Sequence, residues 1–362
     1  MSRNTPTRSP IRVLVVDDSA FMRTALSRMI ASETDMEVTG TASSGSEAVG
    51  KIPSLDPDVV TLDVEMPGLD GLETLRCIMA QPPRPVIMVS AVTEKDAEIT
   101  FNALGAGAFD YVPKELSSTS LDILHIQPDL IAKIRAAALS RNSHLGGVSR
   151  RKPARSILSE CQNSSSTSPA IVALGTSTGG PRALQEILPL LPRDLSVPIL
   201  IVQHMPPGFT APFAQRLNSL CSVTVREAAH KDPILPGVVY IAPAGMHMTI
   251  DRPSESLSLI CLDKQPENSM HMPSVDVMMK SVAKNFGNSA MGVIMTGMGS
   301  DGAQGMKAIY REGGLTVGQD EASCIVYGMP RACAELGVLN RVVPLSGIPS
   351  QILQATNYRR RA

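Results

Sequence analysis

The chain has 362 residues, 43% hydrophobic and 19% charged, enough for two or three packed domains and incompatible with disorder throughout. No apolar run reaches the ~18–20 residues of a membrane-spanning helix, and the first ten residues, MSRNTPTRSP, lack the apolar stretch of a secretory signal. The net charge of −1 divides into 10 Lys+Arg against 19 Asp+Glu over 11–140, 5 against 1 over 141–168 and 16 against 14 over 169–362, so neither half has the basic excess of a nucleic-acid-binding domain.

From Ile11 to about Ser140, apolar runs alternate with helical patterns. The strand-like runs are IRVLVV (11–16), MEVTG (36–40), DVVTL (58–62), PVIMVS (85–90) and AFDYV (108–112). A segment of helical spacing follows each, such as SAFMRTALSRMI (19–30) with Ser19 as its N-cap. Five such units predict a parallel, doubly wound sheet with helices on both faces. Residues 141–168 carry eight serines and five basic residues with little apolar periodicity, the composition of a flexible linker. Alternation resumes at AIVAL (170–174) and PILIVQ (198–203), then GVVYIA (237–242), MTI (248–250) and LSLICL (257–262). A helix near 274–286, AMGVIM (290–295) and LTV (315–317) complete a second doubly wound α/β domain over 169–355. Residues 1–10 are expected to be disordered, and 356–362 form a basic tail. Six scattered cysteines (Cys77, Cys161, Cys221, Cys261, Cys324, Cys333) make no C-x-x-C pair, which excludes a dense disulfide scaffold and the usual zinc spacings. A reducing cytoplasm with no membrane insertion is expected.

Functional groups of such sheets gather at the carboxyl ends of the strands. In the first half these are Asp17 and Asp18, then Asp63, Ser90 and Lys114. Each aspartate taken singly is an ordinary helix or turn cap. Placed together, three carboxylates repel each other unless a cation joins them, and Mg²⁺ with its oxygen ligands is the natural candidate. Such an ion draws a phosphoryl donor to a carboxylate nucleophile, with Lys114 and Ser90 placed to hold the phosphoryl oxygens. VLVVDDS, LDVEMPGLDG, MVSA and DYVPK resemble the receiver domain of two-component response regulators over essentially all of 11–140. That resemblance implies Asp63 as phosphoacceptor and Asp17, Asp18 and the Glu65 backbone as metal-holding groups. It further implies Ser90 as switch hydroxyl and Lys114 as phosphate contact. One departure is that receivers usually follow this lysine with proline, whereas Lys114 follows Pro113 and precedes Glu115.

In the second half, GTSTGG (175–180) joins a strand to a helix that opens with Pro181. Ser177 then sits near a helix N-terminus, where N–H groups favour developing negative charge. The segment fits G-x-S-x-G, a weak signal that a phosphate-binding or purely structural turn satisfies equally. His204 closes PILIVQH and Asp301 lies in the turn TGMGSDG, so serine, base and orienting carboxylate all come from loops on one edge of the sheet. The order Ser…His…Asp disfavours the lipase–esterase fold, which runs Ser…Asp/Glu…His. His230, His247 and His271 read as ordinary surface or structural histidines, Asp276 as a cap or surface residue, and the 19 methionines as core filler.

GTSTGG, QHMPPGFT, YIAP, PSVDV, MTGMGSDGA and EASCIVYGMP make the segment from about 170 to 350 similar to the catalytic domain of chemotaxis protein-glutamate methylesterases. The resemblance implies Ser177 as nucleophile, His204 as base, Asp301 as its orienter, and the Thr178 and Met298 amides as oxyanion donors. It implies methylated glutamates of chemoreceptors as substrate, receptor glutamines as a second substrate, and a chemotaxis histidine kinase as phosphodonor. No cofactor is expected for the esterase. In the unphosphorylated state the receiver is expected to restrain it by covering the Ser177 cleft. Two other classes compete: a regulator with a DNA-binding output domain, which would need a helix-turn-helix, and a nucleotide-binding module. The latter would need full G-x-G-x-x-G spacing and an acidic residue about 20 positions on, where Asp194 falls in a Pro-flanked loop.

Overall fold

The computed structural model describes residues 9–91, 93–114, 125–145, 168–254, 257–267 and 269–358. Most of the expected linker, the residues after Lys114, the start of the expected N-terminal segment and the last arginines lie outside that set. The chain divides into two compact units, Met1–Ile157 and Leu158–Ala362. Among the described residues no helix is long and apolar enough to cross a membrane.

The first unit runs β1 (Ile11–Val16), α1 (Ala20–Ala31), β2 (Met36–Ala42), α2 (Gly45–Leu55) and β3 (Val59–Asp63). It continues with α3 (Gly71–Met79), β4 (Val86–Ala91), α4 (Glu94–Gly105), β5 (Asp110–Lys114) and α5 (Gln127–Leu145). The strands pair in parallel in the order β2-β1-β3-β4-β5. Val13, Leu14, Val15 and Val16 are fully buried, which is why β1 is an unbroken apolar run: helices cover both its faces. Ser19, Ser44, Asp70 and Thr93 cap α1 to α4 by accepting from the first-turn N–H groups. The order of the strands reverses between β1 and β3, so the crevice of this sheet opens above Asp17, Asp18 and Asp63.

The second unit begins β6 (Ile171–Thr176), α6 (Gly180–Ile187), β7 (Ile199–Gln203), α7 (Thr210–Leu220), β8 (Thr224–Glu227) and β9 (Val238–Ile241). It continues β10 (His247–Ser254), β11 (Leu257–Asp263), α8 (Val275–Phe286), β12 (Ala290–Ile294), α9 (Ala303–Arg311) and β13 (Leu315–Gln319). It closes with α10 (Met329–Glu335), β14 (Arg341–Val343) and α11 (Ile348–Ala355). Seven strands form a parallel sheet in the order β14-β13-β12-β6-β7-β9-β8. Both units are therefore doubly wound, as the alternation of patterns predicts.

Two details differ from that prediction. MTI and LSLICL are not sheet strands of the β-α series but the antiparallel hairpin β10-β11, because so short a connection cannot make the crossover that parallel pairing needs. The strands β8 and β14 have no long apolar run to announce them. They are the two edges of the sheet, short and carrying charge (TVRE and RVV), which is how edges avoid pairing with other chains. A core of Tyr240, Met248, Met278, Met279, Val282 and Met306 lies beneath α8, α9 and the hairpin. From β6 the chain steps to β7 on one side and later to β12 on the other, so the crevice of this sheet lies between β6 and β12.

Candidate active site

After β6 the chain turns through Ser177, Thr178 and Gly179 into α6. Gly179 has φ of 75°, and a Cβ there would come within 2.7 Å of the Ile325 side chain, so this turn requires glycine. The Ser177 N–H donates to the Thr296 carbonyl at 3.0 Å, and its carbonyl accepts from the Gly180 N–H at 2.8 Å and Gln203 Nε2 at 3.0 Å. Gln203 Nε2 also donates to the His204 carbonyl at 2.9 Å, and the His204 N–H donates to the Thr176 carbonyl at 3.2 Å. One buried amide thereby stitches the serine loop to the histidine loop. Gly297, after β12, is the third wall: a Cβ on it would lie 2.9 Å from that of Ser177 and overlap the Met329 sulfur. The EASCIVYGMP stretch clamps this residue, with the Gly297 N–H donating to Val326 and the Gly297 carbonyl accepting from Gly328 and Met329.

His204 Nε2 lies 2.8 Å from Asp301 Oδ2. The same oxygen accepts the Val275 N–H at 2.7 Å, while Oδ1 accepts the Ser274 hydroxyl at 2.9 Å and the N–H groups of Asp276 and Gly302 at 3.0 and 3.1 Å. Asp301 therefore rests on the N-terminus of α8. Burial works to raise its pKa, but the bond to His204, its charge, and the Asp276 and Val275 amides outweigh burial and hold the carboxyl well below its ordinary 3.8. An ionised carboxylate only accepts, so Nε2 of His204 carries the hydrogen of this bond, and in the neutral ring the lone pair is at Nδ1. Nδ1 is buried, and among the described residues neither it nor the Ser177 hydroxyl has a hydrogen-bond partner. The N–H groups of Thr178 and Met298 are likewise uncommitted to protein acceptors among the described residues.

The other histidines separate by role. His230 Nδ1 accepts from the Leu262 N–H at the hairpin, and buried His247 accepts from the Ser274 N–H, which orders the approach to α8. His271 differs from the ordinary structural histidine that the sequence suggests: its ring stacks on that of His204, with centroids 4.1 Å apart and planes 19° from parallel. Asp276 lies in the first turn of α8, as expected, and its carboxylate accepts the Gly305 N–H at 2.7 Å. Asp320 binds the Ser323 N–H and hydroxyl, and Asp194 accepts from the Tyr358 hydroxyl. Not every methionine fills the core: Met246, Met270 and Met298 are exposed.

In the first unit, Lys114 Nζ lies 2.8 Å from Asp17 Oδ2 and 2.7 Å from Asp63 Oδ1, all three groups being buried. Asp17, Asp18 and Asp63 each offer a carboxylate oxygen within 4.8 Å of the others. Burial pushes the Asp63 carboxyl up to about 6, with Lys114 opposing and Asp17 adding to the rise. This is an all-oxygen donor set of the kind a small, hard dication takes. Glu65 follows two residues past Asp63 with its side chain exposed. Ser90, at the end of β4, is buried, and its hydroxyl accepts from Thr100 Oγ1 at 2.9 Å and donates to the Ala91 carbonyl at 3.2 Å.

Residues 172–352 match the CheB methylesterase family, and residues 13–124 match the response regulator receiver domain family. The protein-glutamate methylesterase/protein-glutamine glutaminase of Lawsonia intracellularis is 44% identical over 355 residues, 95% of this chain and 99% of that one. Its counterpart in Bacillus subtilis is 44% identical over 356 residues, covering 97% and 99%. The crystal structure of the Thermotoga maritima CheB methylesterase catalytic domain is similar with a TM-score of 0.50 at 38% identity, spanning 52% of this chain and 99% of its own. With strand-end groups, topology and 44% identity over nearly the whole length in agreement, the chain belongs to the CheB methylesterase family, joined to a response regulator receiver domain.

Proposed function

We propose that this protein is a receiver-controlled serine hydrolase of the cytoplasm that removes methyl esters from glutamates on chemoreceptors and deamidates receptor glutamines. The observation that carries this reading is the 2.8 Å bond from His204 Nε2 to ionised Asp301, which leaves Nδ1 as the basic atom of the neutral ring. Ser177 Oγ attacks the γ-carbonyl carbon while His204 Nδ1 takes its proton. Negative charge gathers on the carbonyl oxygen, facing the Thr178 and Met298 N–H groups. The imidazolium returns its proton to the departing methoxide, so methanol leaves and Ser177 carries a glutamyl ester. Water, deprotonated by Nδ1, attacks that ester; the serine recovers its proton and glutamate is released. With glutamine the leaving group is ammonia and the rest is unchanged.

In the receiver, residues 11–140, Asp63 accepts the phosphoryl group from a chemotaxis histidine kinase. Asp17, Asp18, Asp63 and the Glu65 carbonyl would hold Mg²⁺, which when bound offsets their repulsion and draws the phosphoryl donor toward Asp63. Lys114 contacts the transferred group, and Ser90 reaches it by giving up its bond with Thr100. The test is methanol release from methylated receptor membranes, with and without a small phosphodonor. Release that rises with phosphodonor supports both halves; a chain that releases no methanol in either condition overturns the reading.

A further inference from the structure

We infer that His271 is a positioning residue for the esterase: its flat ring, stacked on His204, fixes the plane of the catalytic imidazole and stands by the cation that forms there. The inference rests on the proposed function, since it takes His204 as the base.

The geometry asks for such a partner. His204 is tied at Nε2 to Asp301, while Nδ1, the atom that must meet the serine proton, has no partner among the described residues. A ring held by its Cβ–Cγ bond and by one hydrogen bond at Nε2 can still rock about the line that joins them, and such a turn moves Nδ1, the atom proposed to take the serine proton. The His271 ring lies 4.1 Å away at 19°, close enough to shut off one face and permit only small rotations. It comes from the loop before α8, the helix whose first N–H groups hold Asp301. Orienting carboxylate and stacking ring therefore share one support, and the plane and the anchor of the imidazole are set together.

Charge bears on the same point. A neutral ring offers its electron-rich face to the imidazolium formed as Ser177 loses its proton, whereas a second cation would repel it. Burial and the neighbouring His204 both lower the pKa of His271, with Asp301 acting the other way, so the stacked ring is uncharged at neutral pH. The titratable groups acting on it are His204, from the loop after β7, and Asp301, from the loop after β12; its own neighbours Met270 and Met272 carry no charge.

The test uses the full-length protein, methylated receptor membranes and three chains: wild type, His271→Ala and His271→Phe. Removing the ring is expected to lower kcat about tenfold or more with KM nearly unchanged, and Phe, flat but unable to ionise, is expected to restore most of kcat. The acid limb of the kcat–pH profile should steepen with two protons in the wild type and with one in the Phe variant. Thermal melts of all three chains separate misfolding from loss of positioning, and the Phe variant carries the test if the Ala variant does not fold. Wild-type kcat in His271→Ala, a change confined to KM, or failure of Phe to restore kcat would each overturn the inference. A wild-type chain that releases no methanol would instead remove the function on which it rests.

Discussion

Replacing Asp301 by asparagine tests how the site is wired. The carboxylate takes five donors, two on Oδ2 (His204 and Val275) and three on Oδ1 (Ser274, Asp276 and Gly302). An amide has one accepting oxygen, and it does best facing the three donors. The NH₂ group then faces His204 and the Val275 N–H. The imidazole answers by presenting a lone pair at Nε2, which moves its hydrogen to Nδ1, the atom that must act as base. A tautomer reversed in this way costs on the order of 10⁴-fold in kcat in a serine triad. The Val275 N–H also loses its acceptor, which destabilises the domain by about 1–3 kcal/mol. Methanol release gives the first number and urea unfolding of the same preparation the second. An Asp301→Asn chain within tenfold of wild-type kcat would refute the argument that this carboxylate sets the tautomer.

The same residue carries a pH dependence of stability. Its folded carboxyl titrates below its ordinary 3.8, so its contribution is complete above that value and is lost as pH falls below it. The stability gap between wild type and Asp301→Asn, followed by urea midpoints, should narrow on acidification below pH 4; a gap that widens there contradicts the assignment. Gly297→Ala puts a carbon 2.9 Å from the Ser177 Cβ, and a displacement of up to ~1 Å costs about 10–100-fold in kcat with folding preserved by circular dichroism. Unchanged kcat would mean that the serine need not stay where the glycine lets it sit. Asp63→Ala should keep basal methanol release and lose all response to phosphodonor, and a fragment beginning near Ser168 should outpace the intact unphosphorylated chain. A fragment no faster than the intact chain would mean that phosphorylation activates by some route other than relief of inhibition.

The central strands were legible because burial on both faces writes itself as an apolar run, as in VLVV of β1 and IVAL of β6. The edge strands β8 and β14 were not, since one flank meets solvent and their sequences carry arginine and glutamate. The strand-end groups of both sheets could be found by the rule that ligands gather at the carboxyl ends. What spacing cannot convey is which atom of a ring faces which neighbour. The proposal of Nδ1 as base needed the Asp301 contacts, and those come from Ser274, Val275 and Asp276, a segment visible in sequence as the motif PSVDV and the start of a helix but not as a clamp on a carboxylate. His271 stayed hidden for a related reason: a lone histidine in a polar loop gives no hint of stacking on another 67 positions away, and only the fold brings the two rings together.

Ser177 as the nucleophile can be tested by trapping the acyl-enzyme. The protein is mixed with a receptor-helix peptide carrying a glutamate methyl ester, quenched in acid during turnover, digested, and its peptides weighed. A transient ester is expected on the peptide that contains Ser177, with methanol released in equal amount as that ester first forms. Neither ester nor methanol is expected from Ser177→Ala. An adduct on another residue, or methanol release from Ser177→Ala near the wild-type rate, would rule out Ser177 as the nucleophile.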